Sequence, residues 1–521
     1  MTIAALAVAA APASAAGEGK VRFVKDASSD FDDYTDSPSP AQAQWMRDRF
    51  YRSKVYAEYF DSRTSWYPSG WSYRDLYAVY KSSSVAAQHP EWILKDGQGR
   101  QLYIPYGCGG GSCPQYAGDV GSPQFRAHWI ESMRERLTSG SYKGIYIDDV
   151  NMRFRVGDGN GDGVEPIDPR TGTTMTFANW RRYVAEFTEQ IRAAFPNHEI
   201  VHNAIWYSDQ NDQYVQRAHR AADYVDLERG VTDDGIRGGG GTWGYETYLG
   251  YVDRLHSMGK AVVFDSYAET RSEAEYNVAS YLLVNESRDG VGTSYRNTPD
   301  DWWAAGYELD LGAAQGARYK WNGLLRRDFE RGYVLVNQPD STAKTVATPG
   351  ATDLDGAARS SVTVSARQGI VLRTSTATPP PGAIVLDPVP NPIPPQPQPE
   401  PTPQPTPTPQ PKPQPAPRDD VRKPTGGKQR GKPRKTRLRR AVLLRGKVKR
   451  ASHGRVTLLV QRKTPAGTRT IRRTTAKVSG NGRFTRMVRR LKPARYVVVA
   501  QYSSRSQVAV PLRKRHFKIR Y

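Results

Sequence analysis

The stretch Gly144-Ile145-Tyr146-Ile147-Asp148-Asp149-Val150 decides the fold, because it reads as a buried strand that stops on two carboxylates. Strict alternation along a strand puts Ile145 and Ile147 on one face and Tyr146 and Asp148 on the other. The isoleucines suit a side covered by helices. That turns Asp148 toward the axis of a closed ring of parallel strands, at the end where such rings collect their chemistry. Asp149 begins the next loop, placed to hydrogen-bond, hold a cation or touch a ligand.

Seven further runs of β-branched and aromatic residues recur around this one: 21–24, 55–60, 102–106, 199–206, 224–228, 261–267 and 291–295. Amphipathic segments such as 177–195 and 247–258 lie between them, with apolar residues recurring at three and four. Eight strands with intervening helices over about 280 residues predict an α/β fold, a (β/α)8 TIM barrel. An open doubly wound sheet fits less well, since no G-x-G-x-x-G fingerprint is present. The barrel is expected over 17–325 and a small β domain over 326–376. A Pro-rich linker follows over 377–417, then a basic disordered leader over 418–440 and a basic Ig-like β-sandwich over 441–521.

Charge divides the 521-residue chain in two. Residues 418–521 hold 34 Lys and Arg against only Asp419 and Asp420, a net of +32 in a chain whose total is +23, so the rest carries −9. All 11 Trp lie at or before Trp321. The acidic, aromatic part and the basic, Trp-free part are therefore expected to do different jobs. The basic part has few aromatics among its charges, only Phe484, Tyr496, Tyr502, Phe517 and Tyr521, which argues against nucleic acid as its partner. An anionic cell-envelope polymer is the expected one.

Residues 1–16 are small and apolar and end in Ala13-Ser14-Ala15-Ala16, which reads as the core and cleavage site of a signal peptide shortened at its basic start. An extracellular, secreted or wall-associated protein without a transmembrane segment is expected, and a monomer. Cys108 and Cys113, the only two cysteines, flank a Gly-rich loop and are expected to pair as a disulfide in an oxidising compartment. Asp158-Gly159-Asn160-Gly161-Asp162-Gly163 matches the first half of a calcium loop, with oxygen side chains at Asp158, Asn160 and Asp162. Pro169 stands where the bidentate Glu would be, and Glu165 or Asp168 are the substitutes at hand. A structural Ca²⁺ is thus the one metal the motif allows, balanced by the alternative of a Gly-rich polar turn, and no cofactor is required.

Alternation repeats in 224–228, where Val225 and Leu227 form one face and Asp226 and Glu228 the other. Asp148 and Glu228 are then expected to face each other across one cleft. A nucleophile or base opposite a proton donor is the arrangement that glycoside hydrolysis needs. Strand ends supply the expected substrate contacts: Asn203 and Trp206, Asp265 and Tyr267, Trp243 and Tyr245 from the loop after the sixth strand, with Tyr146 and Asp226 inside. His202 receives no catalytic role.

With GIYIDDV on strand four, HNAIW on strand five, YVDLERG on strand six and FDSY on strand seven, the region from Val21 to Asn337 resembles the glycosyl hydrolase-like family 15. The resemblance implies a secreted (β/α)8 hydrolase acting on a carbohydrate substrate, a poly- or oligosaccharide. Carried over by position, Asp148 resembles a retaining nucleophile and Glu228 a general acid/base, while the adjacent Asp149 leaves the nucleophile open by one residue. The rival reading is a noncatalytic carbohydrate-binding wall protein on an inactive barrel. It differs in having no need for Asp148 and Glu228 to share a pocket.

Overall fold

The structure, a computed structural model, describes residues 18–27, 38–56, 66–108, 111–204, 210–286, 288–375, 380, 383–386 and the strands between 440 and 519. The leader over 1–16, Trp206, nearly all of the linker and the basic segment before Arg440 lie outside the described residues. The chain divides into two compact units, Met1–Thr402 and Pro403–Tyr521.

Eight parallel strands close into a barrel: β1 (Phe23–Ala27), β2 (Phe50–Tyr56), β3 (Gly70–Asp75), β4 (Gly144–Asp148), β5 (Glu199–Asn203), β6 (Tyr224–Asp226), β7 (Ala261–Ser266) and β8 (Gly290–Thr293), with β8 paired to β1. The helices that cover it are α1 (Pro40–Arg49), α2 (Pro123–Ser139), α3 (Phe177–Ala194), α4 (Gln213–Ala221), α5 (Tyr245–Ser257) and α6 (Arg271–Leu282). Their starts are written in the sequence. Ser39 with Gln42 and Thr270 with Glu273 form capping boxes on α1 and α6, and Pro follows the Ser caps of α1 and α2. On α3, Trp180, Tyr183, Val184, Phe187 and Ile191 recur at three and four and bury one face against the barrel.

Alternation sorts the strand residues as expected. Ile145, Ile147 and Ile200 pack outward under the helices, whereas Val24, Trp71, Tyr146, Val201, Tyr224, Ala261 and Val263 fill the barrel interior. Near the start of β5, Glu199 accepts a bidentate pair from Arg52 at 2.8 and 2.7 Å and the indole N–H of Trp71 at 2.8 Å. That closes the end of the ring opposite the cleft.

The third strand is a correction. The segment 102–106 is not in the barrel; β3 is Gly70–Asp75. Leu102 and Ile104 do alternate inward, but into the excursion between β3 and α2, where Leu102 pairs with Leu94 and Ala117. The true strand hides its period because Ser72 and Arg74 take the helix-facing side, Arg74 bonding to Ser132 of α2 and lying over the Trp129 ring. The second strand also begins earlier, at Phe50 rather than Val55, and the sixth ends at Asp226, two residues before Glu228.

Seven antiparallel strands follow in the same unit: β9 (Tyr319–Trp321), β10 (Leu324–Phe329), β11 (Gly332–Asn337), β12 (Lys344–Thr352), β13 (Ala358–Val364), β14 (Gln368–Arg373) and β15 (Ile384–Val385), in the order β13-β12-β14-β11-β10-β9-β15. The β domain thus starts at Tyr319, a few residues ahead of the expected boundary. In the second unit the described strands form one two-stranded and one four-stranded antiparallel sheet. No helix among the described residues is long and apolar enough to cross a membrane.

His202, on the helix-facing side of β5, is fully buried with neither ring nitrogen partnered. Burial, then the nearby His219, push its pKa down to about 3. The folded protein therefore keeps it neutral while the unfolded chain takes up a proton near pH 6.5. Its contribution to stability is complete above pH 6.5 and is lost as pH falls toward 3. In thermal melts between pH 7 and 4, His202→Leu is expected to weaken the acid-side decline seen in the parent; identical slopes would contradict this account.

Candidate active site

Register brings the carboxyl ends of neighbouring strands to one height. Asp75 on β3 pairs with Asp148 on β4, and Asn203 on β5 pairs with Asp226 on β6. Asp148 is half-buried at the rim and takes three donors: the Tyr73 hydroxyl at 2.5 Å, the Asn203 amide at 2.7 Å and the backbone N–H of Asp149 at 2.8 Å. The same Asn203 nitrogen lies 2.9 Å from Glu228 Oε2, and the Tyr267 hydroxyl donates to Glu228 Oε1. One amide thus spans the two carboxylates, which share one cleft.

Each carboxylate is followed by a residue in the left-handed region, Asp149 at φ 54° and Arg229 at φ 67°. This conformation costs a non-glycine residue about 1 kcal/mol or more and turns the chain away just past the carboxylate. Around Asp149 the loop is tied down by Asn151, whose amide donates to Asp149 Oδ1 at 2.8 Å, with Arg155 at 3.8 Å.

Beneath the rim, Lys54 of β2 reaches across the barrel interior. Its Nζ lies 2.6 Å from Asp265, 3.2 Å from Asp226 and 3.9 Å from Asp26. The Tyr146 hydroxyl also donates to Asp226, and its ring stacks on Tyr73 at 5.8 Å. Buried like charges of this density are tolerated only when paired or protonated.

Electrostatics follow from that crowding. Burial pushes Asp148 up against its three donors, with Glu228 adding to the rise. Burial and then Asp148 push Asp149 up to about 6. Burial, opposed by Lys54, leaves Asp226 at about 7, and burial raises Asp265 and Asp75. Glu228 runs the other way: burial raises it, but the Tyr267 and Asn203 donors outweigh that and hold it below the ordinary range. Burial thus holds the rim aspartates above the ordinary carboxylate range, while hydrogen-bond donors hold Glu228 below it.

Of the residues expected here, Asp148, Asp149, Asn203, Glu228 and Tyr267 come together. Asp226 and Asp265 lie just below them, bonded to Lys54 rather than open to a ligand. Two expectations are corrected. Tyr146 is 3% exposed and serves Asp226, so it is floor rather than contact surface. Tyr245 is fully buried, the first residue of α5, with its hydroxyl on Ser280, because it belongs to the apolar face that packs the helix on the barrel. Trp243 is 46% exposed in the loop after β6. Lys54, Tyr73, Asp75 and Asn151 were missed. The first three sit on the two strands whose limits the periodicity misplaced, so correct strand ends would have found them.

Cys108 and Cys113 form a disulfide with Cα atoms 4.0 Å apart. Its loop packs against the Asp158–Gly163 turn: a Cβ on Gly159 would meet the Gly111 carbonyl at 1.9 Å, and one on Gly161 would lie 3.3 Å from Cys108 Sγ. In that turn Asp158 Oδ1 accepts the backbone N–H groups of Asn160 at 2.8 Å and Asp162 at 3.1 Å. Among the described residues, no three acidic, His or Cys side chains gather as a metal cage.

A family model described as hypothetical glycosyl hydrolase family 15 matches residues 52–333. A search of curated protein sequences gives no match. Among solved structures, the glycoside hydrolase domain of PelA from Pseudomonas aeruginosa is similar at 16% identity and TM-score 0.32, over 53% of this chain and 96% of that one. The noncanonic maltogenic α-amylase AmyB from Thermotoga neapolitana matches at 10% identity and TM-score 0.38, over 68% and 99%. The α-galactosidase TtGalA from Thermus thermophilus matches at 13% and 0.35, over 55% and 60%.

Because Asn203 donates to both carboxylates, Asn203→Ala is expected to raise the pKa of Asp148 and of Glu228 together. A carboxyl ¹³C NMR titration checks this, and a shift confined to one of them would rule out the shared donor.

Proposed function

We propose, from the premise that this chain belongs to the hypothetical glycosyl hydrolase family 15, that it cleaves a poly- or oligosaccharide with retention of anomeric configuration. The observation that carries the proposal is the Asn203 amide, 2.7 Å from one carboxylate oxygen and 2.9 Å from the other. Two oxygens that share one donor can be no farther apart than those two bonds laid end to end. Facing oxygens this close favour the roughly 5 to 5.5 Å carboxyl separation of a retaining pair over the roughly 6.5 Å or more of an inverting one, which leaves room for a water.

In this reading Asp148 attacks the anomeric carbon while Glu228 protonates the departing glycosidic oxygen. Glu228 then takes a proton from the water that releases the glycosyl group from Asp148. The directions of these shifts run opposite to this division of labour, and in this reading bound substrate reverses them. Glu228 is the exposed member of the pair. A sugar lying over it removes water and pushes its pKa up, while Asp148 keeps donors from Tyr73, Asn203 and its own loop to hold the charge. Asp149, at about 6, buffers the rim beside the nucleophile. Tyr267, exposed and bonded to Glu228, offers a face on which a sugar ring stacks.

The wider reading is a protein exported by residues 1–16, monomeric, and retained on the cell envelope by the basic segment beyond 418. There, 34 cationic side chains attract anionic wall polymers in a salt-dependent way. A structural Ca²⁺ at Asp158, Asn160 and Asp162 would stiffen the loop beside the disulfide; no step of the reaction depends on it.

Three outcomes test the proposal. On a panel of polysaccharides, Asp148→Asn and Glu228→Gln are each expected to lose about 10³-fold or more in kcat, and activity surviving both would reject the assignment. With an activated aryl leaving group, Glu228→Ala should recover the first chemical step and Asp148→Ala should not; the reverse pattern exchanges the two roles. ¹H NMR of the first-formed product is expected to show the anomer of the substrate, the opposite anomer excluding retention. Separately, the full chain should bind anionic envelope preparations at low ionic strength and leave them as salt rises, whereas a chain ending at 386 should not bind.

A further inference from the structure

The turn between β13 and β14 belongs to the β domain, yet Arg367 at its tip donates into the barrel's loop after β6. Arg367 Nη1 donates to the carbonyl of Asp233 at 3.0 Å, and Nη2 to the carbonyls of Asp234 at 3.3 Å and Ile236 at 2.6 Å. Three carbonyls gathered on one planar guanidinium fix a backbone segment in a way that no single hydrogen bond can. Arg367 is itself set by a tight turn, at φ 55°, with the Gln368 side chain accepting the Ser365 N–H at 2.8 Å.

The clamped segment begins beside Glu228. Arg229 and Gly230 reverse the chain, and Gly230–Thr232 forms one 3₁₀ turn. Gly230 lies so close to β7 that a Cβ there would be 2.8 Å from the Asp265 carbonyl. Thr232 Oγ1 then accepts the backbone N–H of Tyr267 at 3.3 Å, and the Tyr267 hydroxyl donates to Glu228. The domain that carries Arg367 is held firmly enough to act as a fixed point. Gln338 accepts the Gly239 N–H at 2.7 Å and donates to Glu246 at 2.8 Å, and Arg318 makes a bidentate pair with Asp253 at 2.8 and 2.6 Å. Strand β14 lies directly on α6, where a Cβ on Gly369 would come within 2.6 Å of Ala279 Cβ.

We propose that Arg367 is a positioning residue for the hydrolase reaction, the β domain acting through it on the 229–236 loop, Thr232 and Tyr267 to aim the Glu228 carboxylate. The inference rests on the reading of Glu228 as acid/base. It makes the β domain a part of the catalytic apparatus rather than an appendage.

The test compares full-length Arg367→Ala, Arg367→Lys, Tyr267→Phe and the Arg367→Ala/Tyr267→Phe pair. Arg359→Ala, which breaks a 2.6 Å ion pair with Asp353 in the same domain, is the control. Arg367→Ala is expected to lower kcat about 10- to 100-fold, the scale of a misaimed catalytic group, with KM within about twofold. Lysine, a point charge without the fork, should restore little of it. Because both residues act through one carboxylate, the double variant should lose no more than the worse single one. Independently of turnover, carboxyl ¹³C NMR should find the Glu228 pKa raised in Arg367→Ala, where the Tyr267 donor is no longer held in place, and unmoved in Arg359→Ala. Parent-like kcat and titration in Arg367→Ala, or additive losses in the pair, would overturn the inference. If the parent itself hydrolysed no glycan, the hydrolase reading would fail alone and the Glu228 titration would still decide the positioning.

Discussion

Two carboxylates of like charge stand within reach of one amide nitrogen, and most of the surrounding structure exists to make that tolerable. Left to themselves they would repel and take up protons until one was neutral. Asn203 lowers the cost by donating to both, and Tyr73 and Tyr267 each hold the far oxygen of one partner. Lys54 supplies the positive charge from below, buried among Asp265, Asp226 and Asp26. Lys54 thus offsets the aspartates of the floor and also lowers Glu228 above it, in an interior otherwise filled largely with Val, Ala, Trp and Tyr.

The rim is also held by its loops. A left-handed residue after Asp148 and another after Glu228 bend the chain away at once, Asp148 at the end of β4 and Glu228 two residues past β6. Asn151 and Arg155 hold the first bend, and Arg367 and Gln338 of the β domain hold the loop that continues from the second. The disulfide loop packs against the Asp158–Gly163 turn and so ties the excursion after β3 to the loop after β4. Rigid strands with strapped loops are what preorganised catalysis asks of a barrel.

Legibility in the sequence tracked how far each strand's period was apolar. GIYIDDV and YVDLERG show clean alternation, which places the inward acids Asp148, Asp226 and Glu228 from the sequence. Gly70–Asp75 could not be read that way. Its outward residues, Ser72 and Arg74, are polar, Arg74 because it bonds to Ser132 and lies over Trp129 of α2, so the apolar period is lost. The more regular Leu102 and Ile104 are apolar for a different reason, packing the excursion into the core that β4, α2 and α3 share. Tyr73 and Asp75 were missed with that strand, and Lys54 with the late start given to β2. Tyr245 shows the converse: an aromatic next to glycines reads as a rim platform, yet helix α5 turns it into the core.

By itself, the sequence determined the parallel barrel, the inward direction of Asp148 and of the acid face of 224–228, the pairing of its two cysteines and the sharp division between an acidic aromatic part and a basic one. These are local: periodicity, composition and spacing of neighbours in the chain fix them. Only the tertiary structure decided that Asn203 serves both carboxylates, that Lys54 neutralises the floor and that Arg367, 139 positions beyond Glu228 in the numbering, braces it. Those are matters of which side chains meet across strands and between domains. Closure of the ring and docking of the β domain bring them within bonding distance, and no local pattern along the chain records it.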